Sequence, residues 1–215
     1  MPSAADTRAL LFDLDGTLVD SAPDLAGAAN DLRADLGLPA LPLAVLRPMV
    51  GAAFGVAPGD PRFDGLRDAF LARYTERLLQ DTRVFDGIAA VLDALAARGL
   101  PWAVVTNKAT RFAEPLLGGL GLLPACAVLV CGDTTPHAKP HPAPLLEAAR
   151  RLAVAPARCV YVGDDLRDVQ AGRAAGMGVL VAGWGYLGQG EPAGAWGADG
   201  VLADTEALLN WLHLP

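Results

Sequence analysis

Four aspartates in the chain each follow an apolar run. Asp13 and Asp15 come straight after "LLF" (10–12), with Leu14 between them and Gly16 and Thr17 behind. Asp164 and Asp168 follow "CVYVG" (159–163) four residues apart, a spacing that puts both side chains on one face of a helix starting there. Thr106 ends the run "AVVT" (103–106), ahead of Asn107 and Lys108, and Lys139 sits in "AKPHP" (138–142). Gathered in one place, four carboxylates repel one another unless a cation lies among them. Oxygen-only ligands favour a hard ion such as Mg²⁺, which keeps several waters and bridges a substrate phosphate. No His and Cys residues stand at zinc-ligand spacing. With a lysine to neutralise the transferring group, the set suits metal-assisted phosphoryl transfer.

Each element has a blander reading when taken alone. A D-x-D pair is often a surface turn, Thr106 can cap the next helix, and Lys139 can be a solvated loop residue. Acidic residues at a helix start complement its dipole. What joins them is their order and their position at the ends of strand-like runs.

Those runs are "ALLFD" (9–13), "AVVT" (103–106), "AVLVC" (127–131), "CVYVG" (159–163), "GVLVAG" (178–183) and "GVLA" (200–203). Amphipathic segments separate them from residue 84 onward. Ile88, Val91, Leu92 and Leu95 recur at helical spacing, as do Leu145, Ala149 and Leu152. Gly99 and Pro101 close the first of these helices. Strands apolar on both faces and alternating with helices predict an α/β fold, a doubly wound parallel sheet. In such sheets ligands bind beyond the carboxyl ends of the strands, where the candidate residues fall. Residues 22–82 interrupt the alternation with helical patterns at 24–37 and 62–80. So long a helical stretch exceeds one crossover, so it reads as a small inserted domain, leaving 1–21 and 83–215 as the core. The glycine-rich stretch 183–200 reads as a surface loop without chemistry of its own.

Composition limits the partners. The 215 residues are 53% hydrophobic and carry a net charge of −7. A sizeable core is expected, and neither nucleic acid nor an anionic membrane surface is expected as a partner. An anionic metabolite is compatible if cations are concentrated at one site. Three cysteines (Cys126, Cys131 and Cys159) fit buried thiols in a reducing compartment. With no signal-like start and no membrane-length apolar run, the expectation is a soluble cytoplasmic protein. Oligomeric state leaves no mark in the sequence.

"DLDGTLVDS", "VVTNK", "AKPHP" and "GDDLRD", in that order, resemble the four motifs of the haloacid-dehalogenase-like phosphatases. "RFAEPLL", "GYLG" and "WGAD" look like the phosphoglycolate-phosphatase group, which includes similar phosphatases acting on N-acetylmuramic acid 6-phosphate. The resemblance implies a Rossmann-like core with a helical cap inserted after the first motif. It also implies that Asp13 is the nucleophile, forming an aspartyl-phosphate, and Asp15 the general acid and base. Thr106 and the Asn107 backbone N–H would hold the phosphoryl oxygens, Lys139 would neutralise them, and Gly16 would permit the turn towards the cap. Mg²⁺ would be bound by Asp13, Asp164 and the Asp15 carbonyl. Asp168 would act through a metal-bound water or by holding Lys139, and Asp165 would cap the helix.

The implied substrate is a small phosphorylated metabolite. Phosphoglycolate comes first and N-acetylmuramic acid 6-phosphate is the alternative, while a β-phosphoglucomutase-type phosphomutase would keep the same core residues. A dehalogenase has no need of Asp15, Asp164 and Asp168, and a non-catalytic relative would be free to lose Asp13 or Asp15. In "RPMVGAA" (47–53), Arg47 is a candidate contact for a substrate carboxylate, and Arg111 is a weaker one. "GAAFGVAPGDP" (51–61) is shorter than the family's cap pattern by about two helical turns.

Overall fold

The computed structural model describes residues 2–47, 62–188 and 190–213. In chain order the elements begin β1 (Ala9–Phe12), β2 (Val19–Asp20), α1 (Ala22–Asp35), α2 (Leu43–Leu46), α3 (Phe63–Arg77) and β3 (Arg83–Val84). They continue α4 (Ile88–Ala97), β4 (Trp102–Val105), α5 (Thr110–Gly119), β5 (Val128–Val130), α6 (Ala143–Leu152) and β6 (Cys159–Gly163). The last are α7 (Leu166–Ala174), β7 (Gly178–Ala182), β8 (Gly200–Leu202) and α8 (Thr205–Leu212).

Every residue of β1, β4 and β6 is buried, because helices cover both faces of the sheet. That is why these strands read as unbroken apolar runs rather than as alternating ones. Six strands pair in parallel in the order β5-β4-β1-β6-β7-β8. The chain winds outward from β1 through β4 to β5, then returns to the other side of β1 for β6, β7 and β8. This is the doubly wound α/β arrangement, and the order reverses between β1 and β6. On the β1 side the register sets Phe12 level with both Val104 and Val162. The residues that follow, Asp13, Thr106 and Asp164, therefore leave the sheet at one edge. Beneath that edge Leu11, Ala103, Val105, Tyr161 and Leu145 form one buried cluster, a close-packed support with little room to yield.

By its contacts the chain divides into a unit of residues 1–19 with 84–215 and a unit of residues 20–83; the sequence places these limits at 21/22 and 82/83. In the smaller unit α1 and α3 are joined by ion pairs. Arg77 meets both Asp31 oxygens at 2.6 and 2.9 Å, and Arg73 pairs with Asp35. Asp24, fully buried in the first turn of α1, accepts from the N–H groups of Asp81 and Thr82 and from the Thr82 hydroxyl. Three donors compensate for burying that carboxylate. Among the described residues no helix is long and apolar enough to cross a membrane.

Candidate active site

The site grows from the end of β1. The Asp13 N–H donates to Val162 O at 2.9 Å, carrying the ladder one residue past the strand. The chain then turns sharply, with the N–H groups of Thr17, Leu18 and Val19 all directed to Leu14 O. Gly16 has φ +85°, and a Cβ there would lie 2.2 Å from Asp164 Oδ2. Both the backbone conformation and the space therefore require glycine.

Asp164 follows β6 and is almost wholly buried. Thr17 Oγ1 donates to its Oδ1 and the Tyr186 N–H to its Oδ2, each at 2.8 Å. Gly185 closes the other side, since a Cβ there would fall 2.2 Å from Asp164 Cβ and 2.5 Å from Gly16 O. Trp184 Nε1 ties the same turn to Thr17 O at 3.0 Å. Burial pushes the Asp164 carboxyl well above its ordinary range, and the neighbouring Asp13 and Asp168 add to the rise.

Lys139 is the hub on the other side, its side chain only 3% exposed. Its Nζ lies 2.8 Å from Asp13 Oδ1 and 2.8 Å from Asp168 Oδ1, and donates to Val105 O and the Tyr161 hydroxyl. Burial alone would lower this ammonium's pKa, but Asp13 and Asp168 outweigh it and hold the value at about 12. Tyr161 OH accepts from Lys139 and can donate to Val105 O (2.9 Å) or Asp168 Oδ1 (3.1 Å). The Asn107 side chain fixes the lysine's backbone, its Nδ2 donating to Lys139 O and its Oδ1 accepting from the Lys139 N–H. This reciprocal pair makes the Asn107 side chain a positioner of Lys139, and it leaves untouched the backbone N–H expected beside the phosphate.

Thr106 Oγ1 accepts from the Lys108 N–H at 3.1 Å. Among the described residues that leaves the hydroxyl's own proton for a ligand oxygen. Lys108 Nζ lies 3.0 Å from both carboxylate oxygens of Asp15. Asp165 caps α7 by accepting from the Arg167 N–H, while Asp168 Oδ2 accepts from the Asp165 N–H, a capping box. A cavity of about 40 Å³ opens between Asp13, Asn107, Lys139, Asp165, Arg167 and Asp168.

Asp13, Asp164 and Asp168 can each offer an oxygen, all within 4.8 Å of one another. Among the described residues Asp13 Oδ1 is buried without a partner in hydrogen-bond geometry, although the Lys139 ammonium makes an ion pair with it. Burial pushes the Asp13 carboxyl up to about 7, with Lys139 opposing and Asp168 and Asp15 adding to the rise. An oxygen-only cluster with one orphaned buried acceptor and excess negative charge fits a hard cation. Asp13 and Asp164 are the residues suited to hold it. Both Asp168 oxygens already serve Lys139, Tyr161 and the Asp165 N–H, so Asp168 holds the lysine.

Asp13, Asp15, Gly16, Thr106, Asn107, Lys139, Asp164 and Asp168 all lie in the larger unit at the carboxyl edge of its sheet. Arg47 lies in the smaller unit, gripped by both Asp20 oxygens at 2.7 and 3.0 Å. Residues 48–61, which carry the rest of "RPMVGAA" and the expected shortening, lie outside the described residues. Arg111 lies over the Phe112 ring. The stretch 183–200 is not without chemistry, because Gly185 and Tyr186 help to enclose Asp164. Tyr161 and Lys108 also carry contacts that the motifs do not announce. Their only signal is a polar tip inside an apolar strand and a lysine directly after the Thr106–Asn107 pair.

The family model described as haloacid dehalogenase-like hydrolase matches residues 7–176. The chain is 45% identical over 213 residues to a phosphoglycolate phosphatase of Xylella fastidiosa, covering 96% of this chain and 93% of the relative. It is 40% identical over 213 residues to an N-acetylmuramic acid 6-phosphate phosphatase of Pseudomonas aeruginosa, covering 95% and 94%. A crystal structure described as a predicted phosphoglycolate phosphatase from Haemophilus somnus is similar with a TM-score of 0.83 and 28% identity, over 95% and 97% of the two chains.

Proposed function

The chain belongs to the haloacid dehalogenase-like hydrolases, and on that premise we propose that it hydrolyses a small phosphate monoester through an aspartyl-phosphate formed on Asp13. The carrying observation is the Asp13 carboxylate itself, its buried Oδ1 ion-paired with Lys139 at 2.8 Å and one of its oxygens within 4.8 Å of carboxylate oxygens of Asp164 and Asp168.

In the first step an Asp13 oxygen attacks phosphorus and the bond to the ester oxygen breaks. Asp15 gives its proton to the departing alkoxide, assistance worth about 10²–10⁴ in rate. Thr106 donates its hydroxyl proton to a phosphoryl oxygen, and Lys139 neutralises charge on the same group. In the second step Asp15, now the base, takes a proton from water as that water attacks phosphorus. The bond to Asp13 then breaks, releasing inorganic phosphate and restoring the carboxylate. Asp13, Asp164 and the Asp15 carbonyl would hold Mg²⁺, which when bound would supply positive charge to offset that of the transferring phosphoryl group.

We assign 2-phosphoglycolate as the substrate, the smaller unit as the cap and the cytoplasm as the location. Support for the substrate comes from the relatives that bear the phosphoglycolate phosphatase name. A second reading, hydrolysis of N-acetylmuramic acid 6-phosphate, is favoured by the Pseudomonas relative. The test is kcat/KM with Mg²⁺ for both compounds and a panel of sugar phosphates, with a mutase assay alongside. The expected result is turnover of phosphoglycolate that is lost with chelator. A hundredfold preference for the muramic acid compound would transfer the assignment, phosphoryl return to a sugar would replace hydrolysis, and failure on every ester would end the phosphatase reading.

A further inference from the structure

Two lysines with buried side chains serve different carboxylates. Lys139 lies against Asp13 on the phosphoryl side, whereas Lys108 lies against Asp15, the group that must reach the ester oxygen. We propose that Lys108 is a specificity-determining residue that binds a carboxylate carried by the leaving group. This rests on the phosphatase reading above and names the class of ester that the same site prefers.

The geometry points there in three ways. First, the ammonium is set symmetrically over Asp15, 3.0 Å from each oxygen, with its side chain only 7% exposed. A buried ammonium is costly without an anion, and one ammonium can be shared between two carboxylates. Secondly, its backbone is fixed at both ends of the residue. The Lys108 N–H donates to Thr106 Oγ1 at 3.1 Å, and the Gly132 N–H donates to Lys108 O at 2.9 Å. The side chain therefore starts from the same short loop that presents the phosphate-binding hydroxyl. Thirdly, the distances suit a short leaving group. Asp15 must come within hydrogen-bond reach of the ester oxygen. In an ester of glycolate the carboxylate is only one carbon removed from that oxygen, with its own oxygens about 3 Å away by standard bond lengths. An ammonium touching Asp15 is then within one hydrogen bond of that carboxylate. In N-acetylmuramic acid 6-phosphate the carboxylate hangs from ring carbon 3, across the sugar from the ester at carbon 6, and the same contact is out of reach.

The experiment compares the wild-type chain with K108M and K108R on phosphoglycolate and on 2-hydroxyethyl phosphate, which has a neutral group in place of the carboxylate. Thermal melts confirm folding of each variant. In K108M the ratio of kcat/KM for phosphoglycolate to that for hydroxyethyl phosphate is expected to fall about 10- to 100-fold, the range of one charge-assisted hydrogen bond. The fall should appear mainly in KM, and K108R should retain part of the preference. A ratio unchanged within about twofold, with both esters falling together in kcat, would make Lys108 only a support for Asp15 and overturn the proposal. If K108M does not fold, competitive inhibition of the wild type decides. Glycolate should bind at least about tenfold more tightly than ethylene glycol, and equal binding overturns the proposal. Turnover of both esters without discrimination sinks only the role of Lys108; turnover of neither overturns this proposal, and the phosphatase reading falls with it only if every ester of the wider panel also fails.

Discussion

Replacing Gly185 by alanine perturbs the cation site without touching a reacting group. The added Cβ would lie 2.2 Å from Asp164 Cβ, where ordinary contact begins at 3.4 Å, so one side must retreat by about 1.2 Å. Neither side yields easily. Asp164 is held by Thr17 and the Tyr186 N–H, and the second close atom is the backbone oxygen of Gly16, 2.5 Å away. Overpacking of this kind costs about 1–3 kcal/mol, which lowers Tm by several degrees in a chain of this size. The larger effect falls on the metal, since disturbing a support of a ligating carboxylate costs roughly 10–100-fold in affinity. The assay is phosphatase rate against Mg²⁺ concentration, with a thermal melt. The Mg²⁺ concentration for half-maximal rate should rise about 10–100-fold. Gly190→Ala serves as the control, because among the described residues nothing lies within 4 Å of a Cβ there. A Gly185→Ala enzyme whose Mg²⁺ titration and melt overlay those of the wild type would refute the packing described around Asp164.

Two further outcomes follow from the same geometry. Burial lifts the metal-free Asp13 carboxyl from 3.8 to about 7, so between those values the folded chain binds more protons than the unfolded one and Asp13 lowers stability as pH rises. A cation must displace that proton, so Mg²⁺ affinity should increase from about pH 6 to pH 8 with proton release; titration calorimetry in buffers of different ionisation enthalpy measures both, and pH-independent binding contradicts the assignment. Tyr161→Phe removes one acceptor for Lys139 and a donor to Val105 or Asp168, so a loss of about 1–3 kcal/mol in denaturant unfolding is expected, with kcat reduced more than KM. Wild-type stability and kcat would show that the hydroxyl supports neither partner.

The sheet is legible because burial on both faces leaves β1, β4 and β6 with no charged residue to interrupt them. The order of strand-end polar residues then pointed to one edge, because a parallel sheet delivers all its carboxyl ends to the same side. Other parts of the site leave weaker traces. Gly185 and Tyr186 act on Asp164 through a missing Cβ and a backbone N–H, neither of which has a side-chain signature. The sequence offers the Asn107 backbone N–H as a phosphate contact, but that its side-chain amide holds Lys139, thirty-two residues away, is visible only in the fold. Lys108 and Asp15 are ninety-three positions apart, so only the fold reveals their pairing. Tyr161 looks like one more large residue of a buried strand, and its hydroxyl gains meaning only from the lysine above it.

The proposed mechanism requires that Asp13 becomes covalently phosphorylated during turnover. Quenching the enzyme during turnover of phosphoglycolate with Mg²⁺, followed by borohydride reduction and peptide mass spectrometry, tests it directly. Reduction of an acyl phosphate should convert residue 13 to homoserine, and Asp13→Asn should show neither the conversion nor turnover while remaining folded. Conversion at Asp15 or Asp164, or sustained turnover by Asp13→Asn with asparagine verified at that position, would contradict the account.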